Sequence, residues 1–177
     1  YKSCGEASAA SSVCSADAIE RAAKMAVSGE VFIPRGYYRI ARTIKLPFGV
    51  NICGASSIDR EYNGVTKYGT VLVSAFDYEG LKSRLQEVDD NCESCKENTT
   101  RETSIKNLRL RNSSLPLLKD IGREQAYLMY GILSGASLNM DGVTFQHFGQ
   151  ALRFTDNYID NKSVTNCTVS EYWDAYM

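Results

Sequence analysis

Short apolar runs separated by turn residues dominate the chain from Gly29 to Gly54. Four runs of three or four residues, rich in β-branched and aromatic types, lie at 31–33, 37–40, 43–46 and 50–53. Pro34-Arg35-Gly36, Pro47-Phe48-Gly49 and Gly54 follow three of them. Runs of this length, punctuated by Pro and Gly, predict short strands and leave no room for a helix between them.

A helix is predicted before these strands. Ile19, Ala22, Ala23 and Ala26 follow the spacing of one helix face, Ser15 can cap the first turn, and Gly29 lies just past the end. The pattern predicts a helix over about 15–28, preceded by an extended lead-in at 1–14. Its stripe of small residues is narrow, which favours a capping helix over a member of a bundle.

Three later segments, beginning at Ser104, Leu138 and Ser163, share one template of apolar and polar positions. The last two copies are 24 residues apart in every column. A fixed period of this length with strand-like content indicates a solenoid, in which each copy is one coil of a β-helix. The predicted columns are Ile105, Met140 and Val164; Leu108, Val143 and Cys167; and Leu110, Phe145 and Val169.

Two segments interrupt this pattern and are interpreted as inserted loops. One lies near 77–101, after a strand predicted at 70–74, and is mostly polar. The other lies near 115–130 and accounts for the larger spacing between the first two copies. Insertions in a solenoid protrude from one face, which is often the face that binds ligand.

The segment 17–54 carries a recognisable series of short motifs. They are Ala18-Ile19, Gly29, Pro34-Arg35-Gly36 with Tyr38, Ile44 and Leu46, and Val50 with Gly54. In these residues the segment resembles the pectate lyase-like superfamily of right-handed parallel β-helices, especially its bacteriophage tailspike and polysaccharide depolymerase branch. It departs from the family pattern at Cys14-Ser15-Ala16-Asp17, where members commonly carry a paired acid and a hydroxyl residue.

This resemblance implies an all-β fold, a single-stranded right-handed parallel β-helix with an N-terminal capping helix. It implies a homotrimer in a virion tail, in contact with other tail proteins, that binds a bacterial surface polysaccharide and degrades it by hydrolysis or β-elimination. Two alternatives stay open: a non-catalytic structural or receptor-binding virion module, and a secreted polysaccharide lyase or hydrolase. Because the last copy stops in mid-coil, we also expect the natural chain to continue past Met177.

Candidate site residues come from the column alignment, which puts His147 in register with Glu171 and Gln150 with Asp174. Sugar hydrolysis needs two carboxylates, β-elimination needs a base, and aromatic rings stack on pyranose faces. The alternative is that Glu171 and Asp174 are solvated and His147 is a half-exposed surface residue. The predicted catalytic residues are Glu171, Asp174, Asp156 and His147, and the predicted substrate-binding residues are Trp173, Tyr172, Gln150 and Asp160.

Composition narrows the function classes. Twenty Lys and Arg against 21 Asp and Glu give a net charge of −1, without a basic block, which argues against a nucleic-acid partner. No apolar run is long enough for membrane insertion. Cys92 and Cys95 have the spacing of half a zinc site, but no second half is evident, so a loop disulfide or two free thiols is the preferred interpretation. We therefore expect no metal and no cofactor.

Overall fold

The structure of the chain is a computed structural model. It describes residues 9–26, 29–40, 42–47, 49–62, 65–74, 86–89, 103–112, 130–134, 137–154 and 162–170. Within these ranges it describes only the backbone of residues 9–14, 59–62, 65–68, 74 and 86–89.

One helix and sixteen strands lie in the described ranges. The helix α1 spans Ala9–Ala26. The strands are β1 Glu30–Ile33, β2 Gly36–Ile40, β3 Ile44–Pro47, β4 Asn51–Gly54, β5 Asp59–Tyr62, β6 Val65–Tyr68, β7 Thr70–Ser74, β8 Gln86–Asp89, β9 Thr103–Lys106, β10 Arg109–Asn112, β11 Tyr130–Ser134, β12 Leu138–Asp141, β13 Thr144–Gln146, β14 Gln150–Phe154, β15 Lys162–Thr165 and β16 Thr168–Ser170.

Fourteen of these strands form three parallel sheets, and along the chain they belong to the first, second and third sheet in turn. The first sheet has the order β1-β4-β9-β12-β15, the second β16-β13-β10-β7-β2, and the third β14-β11-β8-β3. We call one pass through the sheets a coil: β1, β2 and β3 form the first coil, and β9, β10 and β11 form the third. Every strand in these sheets therefore pairs with strands of the neighbouring coils. This arrangement of stacked parallel sheets is compatible with a β-helix.

Strand register confirms two of the three predicted columns. Met140 pairs with Ile105 on one side and with Val164 on the other. Phe145 likewise pairs with Leu110 and Val169. The columns run back to the first coil, because Ile52 pairs with both Val31 and Ile105.

The apolar columns fill the interior between the three sheets. Ile52, Ile105 and Met140 of the first sheet are fully buried, as are Leu72 and Leu110 of the second. Side chains alternate between the two faces of a strand, so the residues flanking these core positions face outward. Each coil therefore contributes an inner apolar set and an outer polar set.

The corner between the first and second sheets repeats the same backbone conformation. Asn107, Gly142 and Asn166 occupy equivalent positions in three successive coils, and their φ angles are 54°, 65° and 52°. Left-handed backbone is accessible to Gly at no steric cost and to Asn more readily than to most residues. The left-handed backbone therefore explains why Asn and Gly recur at this position of successive coils.

The helix α1 packs against β1, β2 and β3, which are the end strands of the three sheets. Among the helix residues whose side chains are described, the buried apolar ones are Ala16, Ile19 and Ala23, and this agrees with the predicted capping role. The helix begins at Ala9, earlier than the predicted start at Ser15, so residues 9–14 are helical and not extended. Ser15 is a buried residue within the helix instead of its cap. Ala9 and Ala10 favour this longer helix because alanine has the highest helix propensity.

Four strands lie where none was predicted, namely β5, β6, β8 and β11. β11 begins at Tyr130, the last residue of the second segment interpreted as an inserted loop. β5 and β6 pair as an antiparallel hairpin inserted between β4 and β7. β8 lies inside the segment interpreted as a surface loop at 77–101, and it pairs with β3 and β11. The rest of that segment and residues 113–129 lie outside the described residues. In the described part of the chain, α1 is too polar to cross a membrane as a helix.

Candidate functional site

Most of the residues predicted to form the site lie outside the described residues. These are Glu171, Asp174, Asp156, Asp160, Trp173 and Tyr172. The proposed pairing of His147 with Glu171 and of Gln150 with Asp174 therefore remains a prediction. The backbone N–H of His147 donates to the Ser170 carbonyl at 3.3 Å, which continues the register as far as the described chain goes.

His147 and Gln150 flank the turn between β13 and β14. His147 is half-buried, has a φ angle of 63°, and its Nδ1 lies 3.4 Å from the Asn112 carbonyl oxygen. Gln150 is only 6% exposed. Between them, Phe148 is 1% exposed and packs in the core, so its ring is not presented to a sugar.

The outer face of the second sheet carries a different set of polar residues. Because Leu72, Leu110 and Phe145 point into the core, the residues on either side of them point outward. Strand register arranges these outward residues in two columns across five strands. Column one is Tyr37, Val71, Arg109, Thr144 and Thr168, and column two is Arg39, Val73, Arg111, Gln146 and Ser170.

Two arginines of this face share one acceptor. The Nε of Arg111 donates to Oε1 of Gln146 at 2.8 Å, and Nη1 of Arg109 donates to the same oxygen at 3.3 Å. The Nε of Arg109 also donates to the Ser57 carbonyl oxygen at 3.1 Å. Ser57 precedes the β5–β6 hairpin, so Arg109 links the face to the base of that insertion.

The two columns differ in their exposure to solvent. In column one, Val71 and Thr144 are buried although they point away from the core. In column two, Arg39 is exposed, and Arg111 and Gln146 are half-buried. Tyr37 and Arg109 of column one are half-buried and Thr168 is exposed, whereas none of the five residues of column two is buried. Column two is therefore the continuously accessible column, and Arg109 and the hairpin base border it on one side.

The residue types on this face are suited to binding. None of the ten outward positions is Asp or Glu, and three of them are Arg. Guanidinium groups donate in a planar fork that matches carboxylate and phosphate groups. The described face therefore provides cationic and neutral hydrogen-bonding groups but no carboxylate for general acid or base catalysis.

Our sequence reasoning missed this face, although the signal was present. The alignment placed Leu110 in a core column, and Arg109 and Arg111 flank it. Alternation along a strand then requires both arginines to face outward. The site residues predicted from the sequence are acids, aromatic residues, a histidine and a glutamine, and they do not include these arginines.

Asp141 has a structural role at the corner between the first and second sheets. Its Oδ1 accepts hydrogen bonds from Asn166 Nδ2 at 2.8 Å and from Thr165 Oγ1 at 3.1 Å. These two bonds, with a smaller effect from the charge of Lys106, hold the pKa of Asp141 below its ordinary value. The carboxylate thus connects two successive coils.

The structure describes the side chains of two cysteines. Cys53 and Cys167 are free thiols, and burial raises the pKa of Cys167. The side chains of Cys4, Cys14, Cys92 and Cys95 lie outside those described. Among the described residues, no three His, Cys, Asp or Glu side chains gather as a metal site would require.

Comparison of the chain with protein-family models, with curated proteins and with solved structures finds no match in any of the three.

Proposed function

We propose that this chain is a right-handed parallel β-helix of the tailspike type, which binds a bacterial surface polysaccharide and degrades it by hydrolysis or β-elimination. In this proposal it acts as a homotrimer in a virion tail, where other tail proteins adjoin it. The residues from Ala18 to Gly54 that resemble the pectate lyase-like superfamily support the family, and the stacked parallel sheets are compatible with its architecture.

One observation carries the binding part of the proposal. Column two of the outer face places polar side chains on neighbouring parallel strands, spaced about 4.8 Å apart. Gln146 and Ser170 continue this row beside Arg111. A linear polymer lying across the strands would meet a hydrogen-bonding group at successive coils, as a sugar chain with many hydroxyls requires.

Cleavage is assigned to the predicted acids, Glu171 and Asp174, with His147 and Asp156 as further candidates. Two carboxylates suit hydrolysis, in which one donates a proton and the other acts as base or nucleophile. A base next to a uronate carboxyl suits β-elimination. Trp173, Tyr172, Gln150 and Asp160 are the proposed substrate contacts.

A second candidate function is a binding module without catalysis. The observation that favours it is the outer face of the second sheet, where none of the ten described outward positions is acidic. Such a module would hold the polysaccharide for a virion without shortening it, or would act as a structural stalk.

Incubation with extracted capsular polysaccharides and exopolysaccharides tests the proposal. Degradation shortens the polymer in size-exclusion chromatography, and it creates either new reducing ends alone or also the ultraviolet absorbance of unsaturated uronate. Glu171→Gln with Asp174→Asn is expected to abolish the shortening and keep binding. Retention of the polymer at unchanged length would support the binding module, and sedimentation as a monomer would favour a secreted enzyme.

A further inference from the structure

The hairpin formed by β5 and β6 is separate from the three stacked sheets. Its two strands pair with each other, and among the described strands no third one joins them. Tyr62 pairs with Val65, so only residues 63 and 64 separate the strands, and their sequence, Asn-Gly, strongly favours a two-residue hairpin turn. A two-stranded hairpin without a third strand is marginally stable on its own. This hairpin therefore gains stability from contact with another surface.

The base of the hairpin is held by the body of the fold. The backbone N–H of Gly69 donates to the Ile58 carbonyl oxygen at 2.7 Å, and Nε of Arg109 donates to the Ser57 carbonyl oxygen at 3.1 Å. Gly69 also lies so close to the backbone of Ser56 that a Cβ added there would be 2.0 Å from the Ser56 carbonyl oxygen. The hairpin therefore starts from a fixed position, and a preorganised element loses less conformational entropy when a partner binds.

Strand register sorts the charged residues of the hairpin by sign. Directly opposite residues of an antiparallel pair share one face, and successive residues of a strand alternate between the two faces. The basic face comprises Arg60, Tyr62, Val65 and Lys67. The acidic face comprises Asp59, Glu61, Thr66 and Tyr68. Each face therefore has two charges of one sign and one tyrosine.

This charge pattern works against the hairpin itself. Arg60 is directly opposite Lys67, and like charges at opposite positions of neighbouring strands are destabilising. Asp59 and Glu61 lie two residues apart on one strand, about 7 Å from each other on the same face. A sequence that served the hairpin alone would place opposite charges across the strands, where they stabilise the pair. The separation by sign therefore favours a contact with another molecule.

We propose that the hairpin joins copies of this chain, with the basic face of one hairpin seated on the acidic face of the next. The inference rests on the proposed function, in which the chain is a homotrimer, and it names the contact between copies. Each face complements the other face and not itself, so a two-fold dimer that placed a face on its own copy would bring like charges together. The contact therefore joins two different surfaces, and contacts of this kind close into rings when the rotation between copies permits.

The hairpin contributes specificity to a larger contact. Four residues of strand are about 13 Å long and two strands are about 10 Å wide, so each face covers about 130 Å², against about 800 Å² per partner in a stable interface. Ile58 lies directly before β5 and is 53% exposed, so a copy seated on the hairpin can also cover this side chain. Like charges set against each other in an interface are strongly unfavourable. The charges of the hairpin can therefore decide whether the larger contact forms.

Sedimentation of the intact chain at rising salt is the first test and needs no variant. The chain is expected to sediment as an oligomer at about 0.05 M salt, and its dissociation constant should rise at least about tenfold by about 0.5 M salt, because the facing charges are then screened. An oligomer that is insensitive to salt would overturn the inference.

Charge reversal locates the contact on the hairpin. Arg60→Glu with Lys67→Glu makes both faces acidic, and Asp59→Lys with Glu61→Lys makes both faces basic, so each pair of replacements should weaken assembly at least about tenfold. All four replacements together exchange the two faces and keep the net charge, so they should restore the dissociation constant to within about threefold of the native value. Loss of assembly in a folded fourfold variant would overturn the inference.

Arg21→Glu with Lys24→Glu is the matched control. Both residues are exposed on α1, and the two replacements change the net charge as much as reversal of the basic face does. This control is expected to assemble like the native chain, and an equal loss of assembly would show a general charge effect and overturn the contact. Far-ultraviolet circular dichroism checks that each variant is folded, and the salt dependence of the native chain decides the inference where a variant is not.

The outcomes separate this inference from the proposed function. An oligomer that survives both charge reversals overturns the hairpin contact alone. A native chain that sediments as a monomer overturns both the hairpin contact and the proposed homotrimer. An oligomer that dissociates on reversal but neither binds nor shortens any polysaccharide supports the hairpin contact and overturns the proposed activity.

Discussion

Arg42 donates from Nη1 to Oε1 of Glu20 at 2.5 Å, which joins the turn between β2 and β3 to the helix α1. The same guanidinium donates from Nη2 to Oε2 of Glu20 at 3.0 Å, and it pairs with Asp17. The backbone N–H of Lys45 donates to Glu20 at 2.7 Å. The helix is therefore attached to the first coil by directed polar contacts as well as by its apolar stripe.

Replacing Arg42 by Met should lower the free energy of unfolding by about 1 to 2 kcal/mol. The Glu20 side chain is only 13% exposed, so it loses its partner where water compensates little, although the 40% exposure of Arg42 limits the effect. Urea denaturation measures the change. Arg21→Met on the same helix is the control, expected within about 0.5 kcal/mol of the native chain. Equal effects of the two replacements would contradict a specific role for Arg42.

The contact should make stability depend on pH in acid. Burial raises the pKa of Glu20, but hydrogen bonds from Arg42 and the Lys45 backbone, with the charge of Arg42, outweigh it and hold the pKa below the ordinary value of 4.5. A lowered folded pKa contributes stability that is complete above the unfolded value and is lost as pH falls through the folded value.

Thermal unfolding of the native chain and Glu20→Gln, compared from about pH 7 to about pH 3, checks this dependence. The advantage of the native chain should be constant above about pH 5 and should shrink below the ordinary pKa of 4.5. An advantage that grows on acidification would show that the carboxylate is not stabilised by its partners.

Phe145 tests the importance of the inner columns. It is 1% exposed and meets Phe148 edge-on, with ring centroids 6.4 Å apart. Phe145→Ala should lower the free energy of unfolding by about 3 to 5 kcal/mol, because it leaves a cavity between coils. Phe32→Ala, at a position 57% exposed, should cost less than about 0.5 kcal/mol. Denaturant titration measures the loss of unfolding free energy in both variants. Similar losses would show that the assignment of Phe145 to the inner face and Phe32 to the outer face is wrong.

The left-handed corner predicts a dependence on residue type at Asn107. Its φ angle is 54°, so Asn107→Gly should change stability little, while Asn107→Val should cost about 1 to 3 kcal/mol, since a β-branched residue is strained there. The unfolding midpoints of the two variants give the comparison. If Val were tolerated as well as Gly, Asn107 would not hold this conformation in solution.

The columns could be predicted from the sequence because two signals agreed. Met140 and Val164 lie 24 residues apart, as do Phe145 and Val169, and each pair alternates with polar neighbours. A fixed period and a fixed alternation determine which residues stack and which face they occupy.

The strands β5, β6 and β8 were not predictable in the same way, because their residues lack apolar alternation. Gln86–Asp89 contains one apolar residue, and it is a strand because β3 and β11 pair with its backbone. Ser15 does not cap the helix: the capping signal is local, whereas Ala9 and Ala10 before it favour a longer helix.

For the outer face of the second sheet, the outward position of the arginines could be predicted from the sequence, but their contacts could not. Alternation places Arg109 and Arg111 outward, but the shared acceptor Gln146 lies about 35 residues away and becomes a neighbour only through the stacking of coils. The predicted acids near Glu171 still depend on the column alignment alone.

Arginine-selective labelling with phenylglyoxal, read out by mass spectrometry, most directly tests whether a polysaccharide lies on the outer face of the second sheet. A saturating amount of a capsular polysaccharide or exopolysaccharide that the chain binds should reduce labelling of Arg39, which is exposed in column two, and leave labelling of Arg21 on α1 unchanged. Equal labelling of Arg39 with and without the polymer, or protection of Arg21 instead, would contradict binding at this face.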